Sequence, residues 1–583
     1  MRQASTRGSV SSASAAGAKG ASFWQRLQAL QPTLSVSTAN IIAPPTTPSF
    51  MSYSLVVVPP PVPAATASFE SHISTLLAHV PHPVFLTCTS YSPYFSDPAA
   101  EAHATHPASA SEGAVSSTQQ ALAYLHAELP DDAGLVLTVT GTRTTTAASE
   151  GHKHTSHNIG GGGAASTLTG ASQAGIRGVM HDVTRRTASS VGASGLERQR
   201  GVGLMVLRGD DGGYTRRCMA EGITTHADSS STSPNPYAVF ADGAALLRFI
   251  RSEQMAEGSD AVRDLCLMTG GYAQGHVLDR VWGTDTSQSD NDESEVSENQ
   301  AHGTGASVSH QTRHSLQFLA HLEKAYADTE AQLRHAQGPH GAPRPASVET
   351  CRETADALLA QLSAVRQLWL TPSRYSAEAR AACTRQLIED KVLLRGSDAQ
   401  GSCGGAHVIV TQMLASAQEF TAYVDDVQRA LKDVVGDLAS EPQEGAPLPW
   451  KACLILVPAL MAPLRAEQFL RTTLQLKVIP SAPLQAALLT YSDALKSARS
   501  QLENASSSAA AAHRRDGRHD NTAVEIFHKA KEEAEVVFQR AMEDFTVALA
   551  SELHALGYTH INFSAFQYGC GPAIGRVVAR LPH

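Results

Sequence analysis

Short apolar runs recur along the chain, each closed by a proline, a glycine or a polar turn, with longer segments of helical spacing between them. The runs are Leu55–Val58, Val84–Thr89, Leu135–Val139, Gly203–Leu207, Leu265–Met268, His407–Thr411, Cys453–Val457 and His560–Phe563. Each has the length of a buried strand, and strands alternating with helices predict a parallel sheet. Eight of them predict an α/β fold of the (β/α)8, or TIM barrel, type. The first run ends abruptly, because "SLVVVPPPV" carries Leu55–Val58 into Pro59, Pro60 and Pro61, and proline donates nothing to a sheet ladder. The last helical segment places Phe527, Ala530, Ala534, Val537, Ala541, Phe545, Ala548 and Leu549 on one stripe. It stops at Gly557, a residue that accepts the left-handed conformation of a helix C-terminus. "ADGAALLRFIRSE" predicts a shorter amphipathic helix.

Composition changes this picture in two places. Residues 1–50 hold Arg2, Arg7, Lys19 and Arg26, many Ser and Ala, and no acid before Glu70, which predicts a disordered or transit-like segment. Residues 51–583 then form a single barrel domain with long low-complexity and helical loop insertions, at about 142–200, 211–236, 282–374 and 506–521. The third carries the acidic run "DNDESEVSE" and two helical patterns, His314–Gln337 and Val348–Leu370, readable as a partner surface or a solvated hairpin.

A hydrophobic content of 42% supplies a core, while a net charge of −10 provides no basic footprint for nucleic acid. No apolar run is long enough to span a bilayer, so no membrane partner is expected. The eight cysteines form no CxxC pair and several lie in apolar runs, which points to a reducing compartment. "GHKHTSH" reads as a solvated loop, since no cysteine or acid completes a ligand set, and no metal site is expected. The expected location is cytoplasmic, with a mitochondrial one as the alternative raised by the acid-free N-terminus. Oligomeric state, homo-oligomers included, stays open.

A barrel of this type builds its site from residues just after each strand. Here these include Thr89; Arg208, Gly209 and Asp210; Tyr272 and His276 in "TGGYAQGH"; and Gln412 in "VIVTQM". An arginine, a glycine and a carboxylate in one turn can hold a phosphorylated or polar ring ligand. Each signal alone is weak. In order, however, "VFLTCT", "LMVLRGD", "YAVFADGAALLRFIR", "GYAQGH", "GGAHVIVTQM" and "ILVPALMAP" resemble the methylenetetrahydrofolate reductase family, over about half of the chain. The resemblance implies a barrel with FAD at the strand C-termini and hydride transfer from NADH or NADPH through the flavin to 5,10-methylenetetrahydrofolate. It implies flavin contacts for Thr89, Arg208, Gly209, Asp210, Tyr237, Ala238, Tyr272, His276 and Lys391. Asp210 and Gln412 would face the folate or nicotinamide.

The chain departs from that pattern at three strands. "LVVVPP" puts Val56 where the family carries the glutamate that acts as general acid, "VLTV" puts Val136 where it carries a flavin-contacting histidine, and "NFSAFQ", Asn562 to Gln567, stands where it carries "HFYTLN". Two readings follow. One is a working flavin-dependent reductase of one-carbon and methionine metabolism. The other is a catalytically impaired barrel of the same fold that binds flavin or folate as a regulatory subunit.

Overall fold

In the computed structural model, each of the eight apolar runs forms a strand: β1 (Ser52–Val57), β2 (Phe85–Thr89), β3 (Gly134–Thr140), β4 (Val202–Leu207), β5 (Cys266–Gly271), β6 (Val408–Met413), β7 (Cys453–Met461) and β8 (His560–Ser564). Each pairs in parallel with its sequence neighbour, β8 returns to β1, and the sheet closes as a (β/α)8 TIM barrel. The structure describes residues 23–36, 38–44, 50–58, 66–89, 117–130, 132–140, 142–145, 167–170, 176–180, 183–184, 201–207, 243–256, 265–273, 281–282, 310–337, 347–371, 373–374, 377–394, 405–440, 453–511 and 518–582.

Alternation along the strands separates two cores. Phe85, Val136, Met205, Cys266, Met268, Val408, Val410, Ile455 and Val457 fill the barrel interior. Their neighbours, such as Leu55, Leu86, Leu137, Leu204 and Ile561, face the surrounding helices. The eight strands contain no Asp, Glu, Lys or Arg. Strands buried on both faces leave nowhere for a charge to reach water, so a near-continuous apolar sequence is what this architecture requires.

The barrel begins earlier than the expected boundary at residue 51. Helix α1 (Phe23–Leu30) sends Leu27 into the interior cluster, and the strand Thr33–Ser35 pairs antiparallel with the first residues of β7. The stagger of the barrel explains why there is room. The β7–β8 ladder starts only at Ala459 and Asn562, so the lower edge of β7 is free to take another strand. Gln31 bridges the same gap, donating to Leu456 O at 2.8 Å and accepting from His560 N at 2.9 Å. Residues 23–35 therefore plug the N-terminal end of the barrel.

The third insertion is also built into the fold. Helices α3 (His310–Gln337) and α4 (Val348–Leu370) pack on helices of the β7–β8 connection: α6 (Ala466–Leu476), α7 (Ala482–Ala511) and α8 (Arg518–Ala555). Cys351, Ala355, Leu358, Leu362, Val365 and Leu368 bury one face of α4, so this pair is not a solvated hairpin. The Ala/Ser-rich stretch after Ser506 is helical through Ala511, and α8 starts at Arg518. With 38 residues, α8 is about 57 Å long, far more than a barrel strand needs for its return.

The buried stripe of α8 differs from the expected one. Phe527, Ala534, Phe538, Met542, Leu549 and Leu553 face inward, whereas Val537 is 55% exposed and Ala548 is also exposed. Glu535, Glu543 and Thr546 share the buried face. A search by hydrophobicity passes over such polar positions, and the stripe drifts by one residue. Gly557 ends the helix with φ 90°, as expected.

Candidate active site at the C-terminal mouth of the barrel

The exits of β1 and β2 are tied together. Thr89 Oγ1 donates to Val57 O at 3.3 Å, and Tyr568, just after β8, donates its hydroxyl to Val58 O at 3.3 Å. Tyr568 stacks on His72 of α2 (Thr66–His79) at 4.7 Å, and Gly569, at φ 87°, turns so that its N–H reaches His72 Nδ1 at 3.4 Å. Burial lowers the pKa of His72 to about 4, so the ring is neutral. The chain after β8 is thereby pinned over the end of β1. Only the aromatic-then-glycine pattern of "FQYGCGP" could have flagged it in the sequence.

Val56 lies on the inner face, 7% exposed, level with Thr87 of β2 and Ser564 of β8. Val136 is buried in the interior cluster. One pleat below Val56 a neutral polar chain crosses the β1–β8 seam. Ser52 Oγ lies 2.8 Å from His560 Nδ1, Ser54 Oγ lies 3.2 Å from His560 Nε2, and Ser54 Oγ donates to Asn562 Oδ1 at 2.8 Å. A neutral imidazole satisfies both ring contacts, donating at one nitrogen and accepting at the other. Full burial lowers its pKa to about 3. The hydroxyls of Thr87 and Thr138, also on the inner face, are buried and form no hydrogen bond among the described residues.

On the far side of the mouth, Gln412 sits where the β6–β7 register shifts between Val410 and Met413. Such an irregularity re-aims a side chain, and these features cluster beside active sites. Gln412 Nε2 donates to Leu476 O, the last residue of α6, at 3.5 Å, while its Oε1 is buried without a partner among the described residues. Tyr272 follows β5 directly. The preceding Gly271 is required there, because a Cβ would collide with the Tyr423 hydroxyl and with Ile409 Cγ2. Tyr423 belongs to α5 (Ala417–Ser440), and burial raises its pKa, with Tyr272 and Asp426 adding to the shift.

Thr89, Tyr272 and Gln412 thus stand at strand ends around one mouth. Lys391 does not join them. Its carbonyl accepts from Ala406 N at 2.8 Å, just before β6 begins, so its backbone lies at the opposite end of that strand from Gln412. A strand of this length separates its ends by roughly 17–20 Å, and a lysine side chain does not cover that. Arg208, Gly209, Asp210, Tyr237, Ala238 and His276 lie outside the described residues.

Among the described residues there is no group of three or more His, Cys, Asp or Glu placed to hold a metal ion, and no helix long and apolar enough to cross a membrane. Compared with known proteins, the sequence matches no family model and no curated protein.

Proposed function

We propose that the protein is a flavin-dependent reductase of the methylenetetrahydrofolate reductase type, with FAD at the C-terminal mouth and NADH or NADPH as hydride donor. One observation carries the reading. The motif residues fall in chain order at four strand ends, with Thr89 ending β2, Arg208–Asp210 following β4 in the chain, Tyr272 following β5 and Gln412 near the end of β6. The mouth suits a flat, largely neutral ring: its strands carry no charged side chain, and Gln412 Oε1 is buried and unpaired among the described residues. When bound, FAD supplies hydride transfer between nicotinamide and folate. Thr89 and Gln412 would hold the ligands' polar edges, and the neutral interior would exclude water beneath them.

Val56 favours a second reading, in which the folate half-reaction is impaired. General acid help is worth about 10²–10⁴-fold, and valine has no proton to give. Hydride transfer to the flavin needs stacking and orientation, which an apolar strand end permits. The test has three steps on the purified protein: its visible spectrum, anaerobic reduction by NADH or NADPH, and reoxidation by methylenetetrahydrofolate. A flavin spectrum, fast reduction and slow reoxidation are expected, with Val56→Glu speeding reoxidation tenfold or more. A colourless protein that FAD does not reconstitute overturns the proposal. Fast reoxidation without substitution overturns the impaired reading.

A further inference from the structure

The insertion helix α3 reaches the candidate site through α6. Tyr326 Oη accepts from Gln475 Nε2 at 2.7 Å, and Glu330 Oε1 accepts from Arg471 Nε at 2.8 Å. Both partners lie on the last turns of α6, the helix whose terminal carbonyl, Leu476 O, accepts from Gln412. Glu330 is fixed in turn by Gln361 Nε2 of α4 at 3.0 Å. From the other side α8 holds the first turn of α6, with Lys531 Nζ donating to Glu467 at 3.1 Å and Phe538 packing on Phe469 at 5.2 Å. Beyond Leu476, Lys477 adopts a left-handed conformation at φ 53° and turns its Nζ back to Leu474 O. A non-glycine residue holds that conformation only where its surroundings impose it.

We propose that Tyr326 and Glu330 of the insertion are positioning residues for Gln412: they fix the C-terminal turn of α6, which sets where the Gln412 amide points. The Gln412–Leu476 bond is long, so a small shift of α6 releases it, and the amide already has one unpaired atom. This assigns the insertion a role in ligand recognition and rests on the reductase reading for the identity of the ligand.

A double-mutant cycle tests it. Glu330→Ala should raise KM for methylenetetrahydrofolate about three- to fivefold with kcat little changed, Gln412→Ala should raise it at least as much, and the double variant should be no worse than Gln412→Ala alone. Glu330→Gln, which keeps an acceptor for Arg471, should restore the lower KM. Multiplying effects overturn the proposal. Hydrogen exchange on the unliganded protein decides the same point independently of chemistry. Amides of Leu476–Val478 should exchange faster in Glu330→Ala and Tyr326→Phe and regain protection in Glu330→Gln. Unchanged exchange overturns the positioning role even if folate turns over. Faster exchange in a colourless protein that FAD does not reconstitute keeps the role and removes the reductase reading.

Discussion

Two buried polar regions of this molecule handle charge in opposite ways. Inside the barrel, the seam of Ser52, Ser54, His560 and Asn562 is neutral throughout, and the imidazole is held well below its ordinary pKa by burial. Where α3, α6 and α8 meet, Glu330, Arg471, Glu467, Lys531 and Glu535 form a chain of charges. The difference follows from side-chain length and access to water. Strand residues project about one side chain deep into a closed interior, so an ion there has neither water nor room for a partner. Long side chains on adjacent helices meet tip to tip, and Arg471 and Lys531 keep part of their stems at the surface. Charge is tolerated in the helical lobe because each acid faces a base. Glu535 shows the limit: its side chain is almost wholly buried, and burial raises its pKa despite Lys531 and the 2.9 Å hydrogen bond from Tyr491.

The largest effect is expected at the barrel interior. A chain starting at Met51 loses Leu27, the paired strand and both bonds of Gln31. Emptying one buried leucine site alone costs about 2–5 kcal/mol, so the shortened chain should be insoluble or unfold at much lower denaturant. Equal denaturation midpoints for the two chains would show that α1 only decorates the barrel.

The lobe should respond less and depend on pH. Lys531→Met leaves Glu535 with the Tyr491 hydroxyl and the Ala466 backbone N–H but no cation, at a cost of roughly 2–3 kcal/mol at pH 8 for a pair that is not fully enclosed. At pH 5 the loss should shrink, because the raised pKa of Glu535 lets the carboxyl take a proton. Denaturation of both forms at the two pH values measures this, and a pH-independent loss would mean that Lys531 acts through packing.

The smallest effect per step is the acid response of the buried histidines. His560, His72 and His407 have folded pKa values of about 3, about 4 and about 4, below the unfolded value of 6.5. The unfolded chain therefore takes up these protons first. Stability is full above pH 6.5 and falls by about 1.4 kcal/mol per pH unit for each histidine as the pH drops towards 4. His560→Gln should flatten that slope by one proton in the range between pH 6.5 and 4.5, read from urea midpoints. An unchanged slope would place the proton uptake elsewhere.

How much of this was legible follows the range of the forces involved. The eight strands were readable because a strand buried on both faces must be apolar and must end at a breaker, and both signals lie within a few adjacent residues. The long helices of the third insertion were readable from their period. The plug was not: Phe23–Leu30 looks like part of an acid-free leader until β7 offers an unpaired edge. Gln412, Thr89 and Tyr272 were legible as residues after strands, but the stack of His72 on Tyr568 was not, nor was the route from Glu330 through α6 to Gln412.

By itself the sequence determined the alternation of strand and helix, the uncharged barrel wall and the substitution of Val56 at the end of β1. These are local properties, written in composition, spacing and breakers. Tertiary structure alone decided the rest. It set the stagger that opens the edge of β7 to residues 33–35, and it joined Ser54 to Asn562 across 508 positions. It also brought α3 against α6, 141 residues on, and chose the buried face of α8. Each depends on closure of the barrel, which fixes neighbours that no window of adjacent residues contains.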